Sequence, residues 1–262
     1  MDDPALAWPE LRERFAGCGS AFAFVIPVYN HARNLGEVVA AAVASGAPVI
    51  VVDDGSTDGS AEVAATVPGS TVVRHEENRG KGAAILSGLG EAQARGARFA
   101  IAVDADGQHR PDDARRLLAA LWPAGAARPE TALVIGARVG MEKREAPWTS
   151  RMGRGFSGFW VWAAGGPRVA DSQSGFRVYP VAETLALPTR ARRFEFEVEV
   201  LVHARRAGIA IREVPVSVAY APPGGRVSHF RPWRDFGRNS VTFTRLIISR
   251  FLPRARASRH GA

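Results

Sequence analysis

Three short apolar runs, each ending on a polar cluster, constrain this chain more than any other feature. Phe22 to Val28 runs into Tyr29-Asn30, Val49 to Val52 into Asp53-Asp54-Gly55, and Phe99 to Val103 into Asp104-Ala105-Asp106-Gly107. Apolar runs of this length, bounded by turn residues, fit buried strands. Stretches of helical composition come after them. Asn34 to Ser45 is closed by Gly46-Ala47-Pro48, Asp58 to Thr66 has Asp58 as its cap, Gly80 to Arg95 starts rich in glycine, and Pro111 to Trp122 carries proline in its first turn. Thr71 to Arg74 and Ala132 to Ile135 add two strands. The alternation predicts an α/β fold, a mostly parallel sheet with helices on both faces. Ligands bind such sheets beyond the carboxyl ends of the strands, where all three polar clusters lie. The second half is less regular: a helix near Ser150 to Ala164, a strand at Phe176 to Tyr179, a helix from Phe194 to Ala207 and a strand from Ile209 to Tyr220.

Composition narrows the class. The 262 residues are 46% hydrophobic and carry a net charge of +8, which suits a globular chain drawn to anionic partners. Seven arginines against one acid in the last thirty residues localise much of that excess. The single cysteine, Cys18, excludes an intrachain disulfide and fits a cytoplasmic protein. No signal peptide and no run of 18 apolar residues is present. No nucleic-acid module is recognisable, and the histidines lack zinc spacing.

Asp104 and Asp106, one residue apart beyond a buried strand, can reach one hard cation, with Gln108 adding an amide oxygen. Mg²⁺ or Mn²⁺ shared with diphosphate oxygens is the expected chemistry, against a plain turn that caps the helix at Pro111. Asp53 and Asp54 face a base edge or a ribose hydroxyl, while Asp58 caps. Asn78-Arg79-Gly80-Lys81-Gly82 opens a helix whose N-terminus favours anions, so Lys81 is either a cationic lid over a diphosphate or an ordinary helix start. Arg138, Arg151 and Arg177 are candidates to hold phosphate. Of Glu195, Glu197 and Glu199, at least two read as salt-bridged helix acids, with one left to face a sugar. His229 is equally an acceptor-site or a structural residue.

In this order the motifs VIPVYN (25–30), VVDDGSTDG (51–59), NRGKG (78–82), DADGQH (104–109), GAR (136–138), DSQSGFRVY (171–179) and FEFEVEVL (194–201) resemble family 2 glycosyltransferases. The closest likeness is to the dolichol-phosphate or polyprenyl-phosphate mannosyl/glucosyltransferases, over roughly residues 22 to 235. The resemblance implies a GT-A type nucleotide-diphospho-sugar transferase fold and inversion at the anomeric carbon. It also implies a nucleotide-diphosphate sugar donor (GDP- or UDP-linked) and a lipid-phosphate acceptor. It places the nucleotide near Pro27, Tyr29, Asn30, Asp53 and Asp54, with Lys81 beside the diphosphate. A Mg²⁺ or Mn²⁺ ion falls on Asp104, Asp106 and Gln108, and phosphates on Arg138, Arg151 and Arg177. A phosphate acceptor is already an oxyanion; a hydroxyl acceptor on a lipid or small molecule needs a base, for which Asp171 is the candidate. A non-catalytic sugar-nucleotide-binding protein is the competing class, opposed by the intact Asp104, Asp106 and Gln108. His31 stands where the family often has an acid. The transmembrane helices and QxxRW motif of processive synthases are absent.

The expected organisation is an N-terminal segment (1–21), a catalytic domain (22–232) and a basic amphipathic extension (233–262). Taken as a helix, the extension aligns Phe236, Phe243, Ile247 and Phe251 on one face, with Arg234, Arg238 and Arg245 mostly off it. That stripe suits peripheral contact with an anionic membrane, or packing on the enzyme's own core or a second subunit.

Overall fold

The computed structural model describes residues 6–138, 157–218 and 232–251, with side chains from 240 to 250 in the last segment. Arg151, His229 and the chain beyond 251 lie outside the described residues.

The elements run α1 (Trp8–Gly17), β1 (Phe22–Val28), α2 (Ala32–Val43), β2 (Val49–Asp53), α3 (Ser60–Ala65), β3 (Ser70–Arg74), α4 (Lys81–Ala94) and β4 (Phe99–Ala102). A 3₁₀ turn (Pro111–Asp113), α5 (Ala114–Ala119) and β5 (Ala132–Ala137) come next. Residues 157–163 are helical and are called α6. Then come β6 (Arg177–Pro180), α7 (Val181–Leu185), α8 (Phe196–Arg206), β7 (Ala210–Pro215) and α9 (Pro232–Phe251).

The strands form one seven-stranded sheet in the order β3-β2-β1-β4-β6-β5-β7. The pairings β1–β2, β1–β4, β2–β3 and β5–β7 are parallel, whereas β6 runs antiparallel to both β4 and β5. The mostly parallel α/β architecture is therefore present, with one reversed strand that the apolar pattern did not reveal. Side chains alternate along β1, as a pleated strand requires. Phe22, Phe24, Ile26 and Val28 join one core layer with α1, α2 and α5; Ala23 and Val25 join the other with α4 and α8. Helix α4 lies close on its layer because residue 88 is glycine: a Cβ there would stand 2.3 Å from Val25 Cγ1.

Both chain ends carry helices that pack on the rest of the protein. The N-terminal segment holds α1, whose Leu11 and Phe15 are buried in the main core. Phe15 meets Phe22, Phe99 and Trp122 edge-on at ring separations of 5.0, 5.8 and 4.5 Å. At the other end, the described part of the amphipathic stripe packs on the protein itself. Phe243 and Leu246 are 4% and 1% exposed, and Ile247 packs against the same layer. Phe243 stacks on Trp160 of α6, and Arg245 forms an ion pair with Glu199 of α8. Arg206 of α8 donates to the Leu246 carbonyl and Ser249 hydroxyl, fixing the end of α9. Of the three alternatives for this stripe (membrane, own core, second subunit), the described residues take the core, because α6 and α8 offer apolar area and carboxylate partners of their own. The outward faces keep Phe159, Trp162, Val241 and Ile248 exposed.

Phe15→Ala removes a ring from the contact between α1 and the sheet. It is expected to cost about 3–5 kcal/mol of stability, read as a lower denaturant midpoint at unchanged slope. A segment merely appended to the domain would give no such loss.

Candidate active site

The sheet order places the carboxyl ends of β2, β1 and β4 side by side, so three polar clusters distant in sequence share one edge. Val28 is level with Asp53, and Val25 with Ala102, two residues short of Asp104.

At the β1 and β2 ends, a web of hydrogen bonds sets the loops. Asn30 adopts a left-handed backbone (φ 54°), which asparagine tolerates better than most residues. Its N–H donates to the Ser56 hydroxyl at 3.0 Å, and its side-chain oxygen accepts from the Thr57 N–H at 2.8 Å. Asp58 bridges two helices: it accepts from the Ala32 N–H at the start of α2 and from the Ser60 N–H and hydroxyl at the start of α3. Burial pulls its carboxyl upward, but these bonds outweigh it and hold the group below the usual carboxylate range. Pro27 is buried in β1, and Tyr29 is half-buried at its end.

Asp53 and Asp54 differ sharply. Asp54 accepts from the Arg79 N–H, the Gly80 N–H and the His75 Nδ1, and His75 Nε2 in turn meets the Ser87 hydroxyl. This carboxylate anchors the NRGKG loop to α4 through three protein donors, two on Oδ1 and one on Oδ2, in addition to any contact with a nucleoside. Asp53 is also buried. Its Oδ1 accepts from Ser56, while Oδ2 has only Arg74 Nε, 3.2 Å away and outside hydrogen-bond geometry. Asp53 therefore keeps a buried acceptor oxygen for an incoming N–H or hydroxyl, beside a half-exposed Arg74.

At the β4 end, Asp104 is paired with Lys81. Its Oδ1 lies 2.6 Å from the ammonium, which also lies 2.7 Å from Glu197 Oε1. Lys81 is the first residue of α4 and Glu197 belongs to the first turn of α8, so two helix starts close on the strand end. Burial disfavours both charges, but the two carboxylates outweigh it and raise the Lys81 pKa, and the ammonium lowers that of Asp104. Asp106 accepts the Gln108 N–H at 3.0 Å, and Asn34 fixes the Asp106 carbonyl. His109 is buried against Phe176, ring centroids 5.1 Å apart; burial is the main cause that takes its pKa down to about 4, so its ring is neutral at neutral pH. Among the described residues no cluster of three or more His, Cys, Asp or Glu could hold a metal alone. Two partly exposed carboxylates and an amide oxygen suit a hard cation whose remaining ligands come from a diphosphate.

The reversed β6 completes the site. Because it runs antiparallel, its leading segment arrives at the carboxyl edge, with Arg177 opposite Ala102. Arg177 is fully buried; its guanidinium donates to the carbonyls of Ser172, Ser174 and Glu197 at 2.7–2.8 Å. It cannot hold a substrate phosphate in this arrangement, and the expected role is corrected: it shapes the 172–176 loop and ties it to α8. Asp171, the candidate base, is buried and gripped by Arg138 through both oxygens, at 2.6 and 2.8 Å. Arg138, expected on a phosphate, has this carboxylate as its partner.

Sequence reasoning did not single out Gly175 or the specific part played by Glu197. A Cβ on Gly175 would stand 2.4 Å from Asp104 Oδ2 and 2.5 Å from Lys81 Nζ. The alternating acids of FEFEVEVL were the signal available for Glu197.

The family description Glycosyl transferase family 2 matches residues 23–184. The chain belongs to that family. It is 30% identical over 217 residues to the UDP-N-acetylglucosamine–dolichyl-phosphate N-acetylglucosaminyltransferase of Methanococcus voltae, covering 75% of this chain and 84% of the relative. It is 32% identical over 210 residues to the polyprenol monophosphomannose synthase of Mycolicibacterium smegmatis, covering 74% and 75%. Among solved structures, the glucosyl-3-phosphoglycerate synthase of Mycobacterium tuberculosis, with Mn²⁺, uridine diphosphate and phosphoglyceric acid, superposes with a TM-score of 0.70. That match has 21% identity and covers 97% of this chain and 86% of that one. The fold is GT-A, and the protein is a glycosyltransferase.

Gly175→Ala forces the Asp104–Lys81 pair to shift while leaving the core intact. Turnover is expected to fall roughly tenfold or more with a melting temperature near that of the wild type, because small displacements at a reacting centre are costly. Wild-type turnover in this variant would show that the tight contact is irrelevant to catalysis.

Proposed function

We propose that this glycosyltransferase moves a sugar, with inversion, from a nucleoside diphosphate donor to a polyprenyl phosphate. The relatives' names support the acceptor class. The observation that carries the choice is the Arg138–Asp171 pair: a buried carboxylate held by a guanidinium on both oxygens is not presented to an acceptor hydroxyl. A phosphate oxyanion needs no base, so such a site suits it.

In this reading the nucleoside lies over the ends of β1 and β2, near Pro27, Tyr29 and Asn30. The spare oxygen of Asp53 takes a base N–H or a ribose hydroxyl. The NRGKG loop, held by Asp54, brings the start of α4 to the diphosphate, where helix N–H groups favour anions. Asp104, Asp106 and Gln108 would hold Mg²⁺ or Mn²⁺, whose charge would stabilise the departing diphosphate. The acceptor oxygen approaches the anomeric carbon from the face opposite that leaving group.

Two experiments test this. The first offers UDP- and GDP-sugars with polyprenyl phosphate, the corresponding polyprenol, or phosphoglyceric acid. Transfer to polyprenyl phosphate alone is expected, with an anomeric configuration opposite to the donor's by NMR. Preferred transfer to either hydroxyl acceptor would overturn the reading.

The second concerns location. No helix among the described residues is long and apolar enough to cross a membrane, so access to a lipid phosphate on the cytoplasmic face is assigned to peripheral contact. The exposed Phe159 and Trp162 of α6 and Val241 and Ile248 of α9, with the exposed Arg168 and Arg250, have the composition of an interfacial surface. Phe159→Glu and Ile248→Glu should each reduce co-sedimentation with anionic vesicles by roughly fivefold, through lost apolar burial and added negative charge. Binding that is unchanged in both variants would remove this surface from the account.

A further inference from the structure

The Lys81 ammonium has two carboxylate neighbours, Asp104 at 2.6 Å and Glu197 at 2.7 Å. Asp104 is one of the proposed metal ligands; Glu197 has no part in that reading. One carboxylate already balances the single charge of the ammonium, so Glu197 is a second partner. Glu197 is firmly placed. Its side chain is 6% exposed, it stands in the first turn of α8, and its own carbonyl is held by the buried Arg177. Asp104 is the more open of the two carboxylates, at 25%. The backbone at Gly175 closes one side of the ammonium and of Asp104, so neither can withdraw in that direction.

We propose that Lys81 is a built-in competitor for the divalent cation: it neutralises Asp104 in the resting site, and Glu197 retains it when Asp104 turns to the metal. The proposal rests on the reading of Asp104, Asp106 and Gln108 as the metal site. Glu197 is then a positioning residue that acts through Lys81. Exchange of one cation for another at Asp104 avoids ever leaving a bare, partly buried carboxylate, an unfavourable state for such a group. It also frees the ammonium to face a diphosphate that arrives with the metal.

The test is Mn²⁺ binding without substrate, measured by the loss of free-ion paramagnetic resonance signal up to millimolar metal, with melting temperatures recorded for every protein. Lys81→Met should bind Mn²⁺ roughly tenfold more tightly than wild type, since a cation within a few ångströms of the site has gone. Glu197→Gln should bind it several-fold more weakly, because Lys81 is then left to Asp104 alone. The deciding variant is the double one. If Glu197 acts only through Lys81, Lys81→Met/Glu197→Gln binds Mn²⁺ as Lys81→Met does, a full coupling between the two positions. Independent, additive effects would mean that both residues merely contribute charge to the field, and would overturn the proposal, as would Lys81→Met binding no tighter than wild type. Should Lys81→Met melt too low to be measured, weaker binding by Glu197→Gln than by wild type remains the required result, and its absence overturns the idea. Asp104→Asn should abolish uptake. If neither wild type nor Lys81→Met takes up Mn²⁺ while both still bind a nucleoside diphosphate, the metal assignment and the proposal fall together; uptake that ignores Lys81 sinks the proposal alone.

Discussion

A guanidinium with no exposure to solvent organises this site. Burying a charge is expensive unless hydrogen bonds compensate it. Arg177 meets that demand with three backbone carbonyls, two from the 172–174 loop and one from α8. The consequence reaches beyond the arginine. Those carbonyls fix the loop against the helix, which presses Gly175 onto Asp104 and Lys81 and sets Glu197 at the ammonium. A residue type suited to grip a substrate from outside instead shapes the wall that the substrate meets.

This depends on one reversed strand. In a wholly parallel sheet, the segment before a strand enters at the amino edge, away from the ligand. β6 lies between β4 and β5 and runs against both, so the segment that precedes it emerges beside Asp104. The neighbouring β5 ends at the same edge and delivers Arg138 to Asp171. Glu213 of β7 then accepts from the N–H groups of Ala170 and Asp171, anchoring the start of the loop. Six strands thus contribute to one edge, five by residues at or near their carboxyl ends and one by its beginning.

The parts of this arrangement that were legible in the sequence are those set locally. Strands β1, β2 and β4 are buried on both faces, so they read as unbroken apolar runs, and the residues just after each must lie at the carboxyl edge. The direction of β6 left no such trace, since four residues of RVYP look alike either way round. Helix α1 was missed because its burial falls on Leu11 and Phe15 within a segment otherwise rich in charge. The role of Arg177 was hidden for a different reason. Whether an arginine faces a ligand or the interior is decided by carbonyls up to 20 residues away, not by its neighbours in the chain. The loop-anchoring part of Asp54 was hidden likewise: an acid at a strand end looks the same whether or not it already holds, as here, His75 and two loop N–H groups.

Three carboxylates at the substrate edge share a condition that neither sequence nor fold alone would suggest: each lies beside a cation of the protein. Asp53 is beside Arg74, Asp104 beside Lys81, and Asp171 beside Arg138. The partners are not equivalent. Arg74 is half-exposed, 3.2 Å from Asp53 and shared with Glu62; Lys81 has a second carboxylate beside it; Arg138 grips both oxygens of its partner. The hold on the three carboxylates is thus graded, loosest at Asp53 and firmest at Asp171. Because an uncompensated charge in a partly buried place is the unfavourable state, a sequence of partner exchanges is an easier route to a loaded site than one that first strips the carboxylates bare. In the proposed reading, the same grading suits an acceptor that brings its own negative charge, because it need take no proton from Asp171, the carboxylate that Arg138 holds through both oxygens.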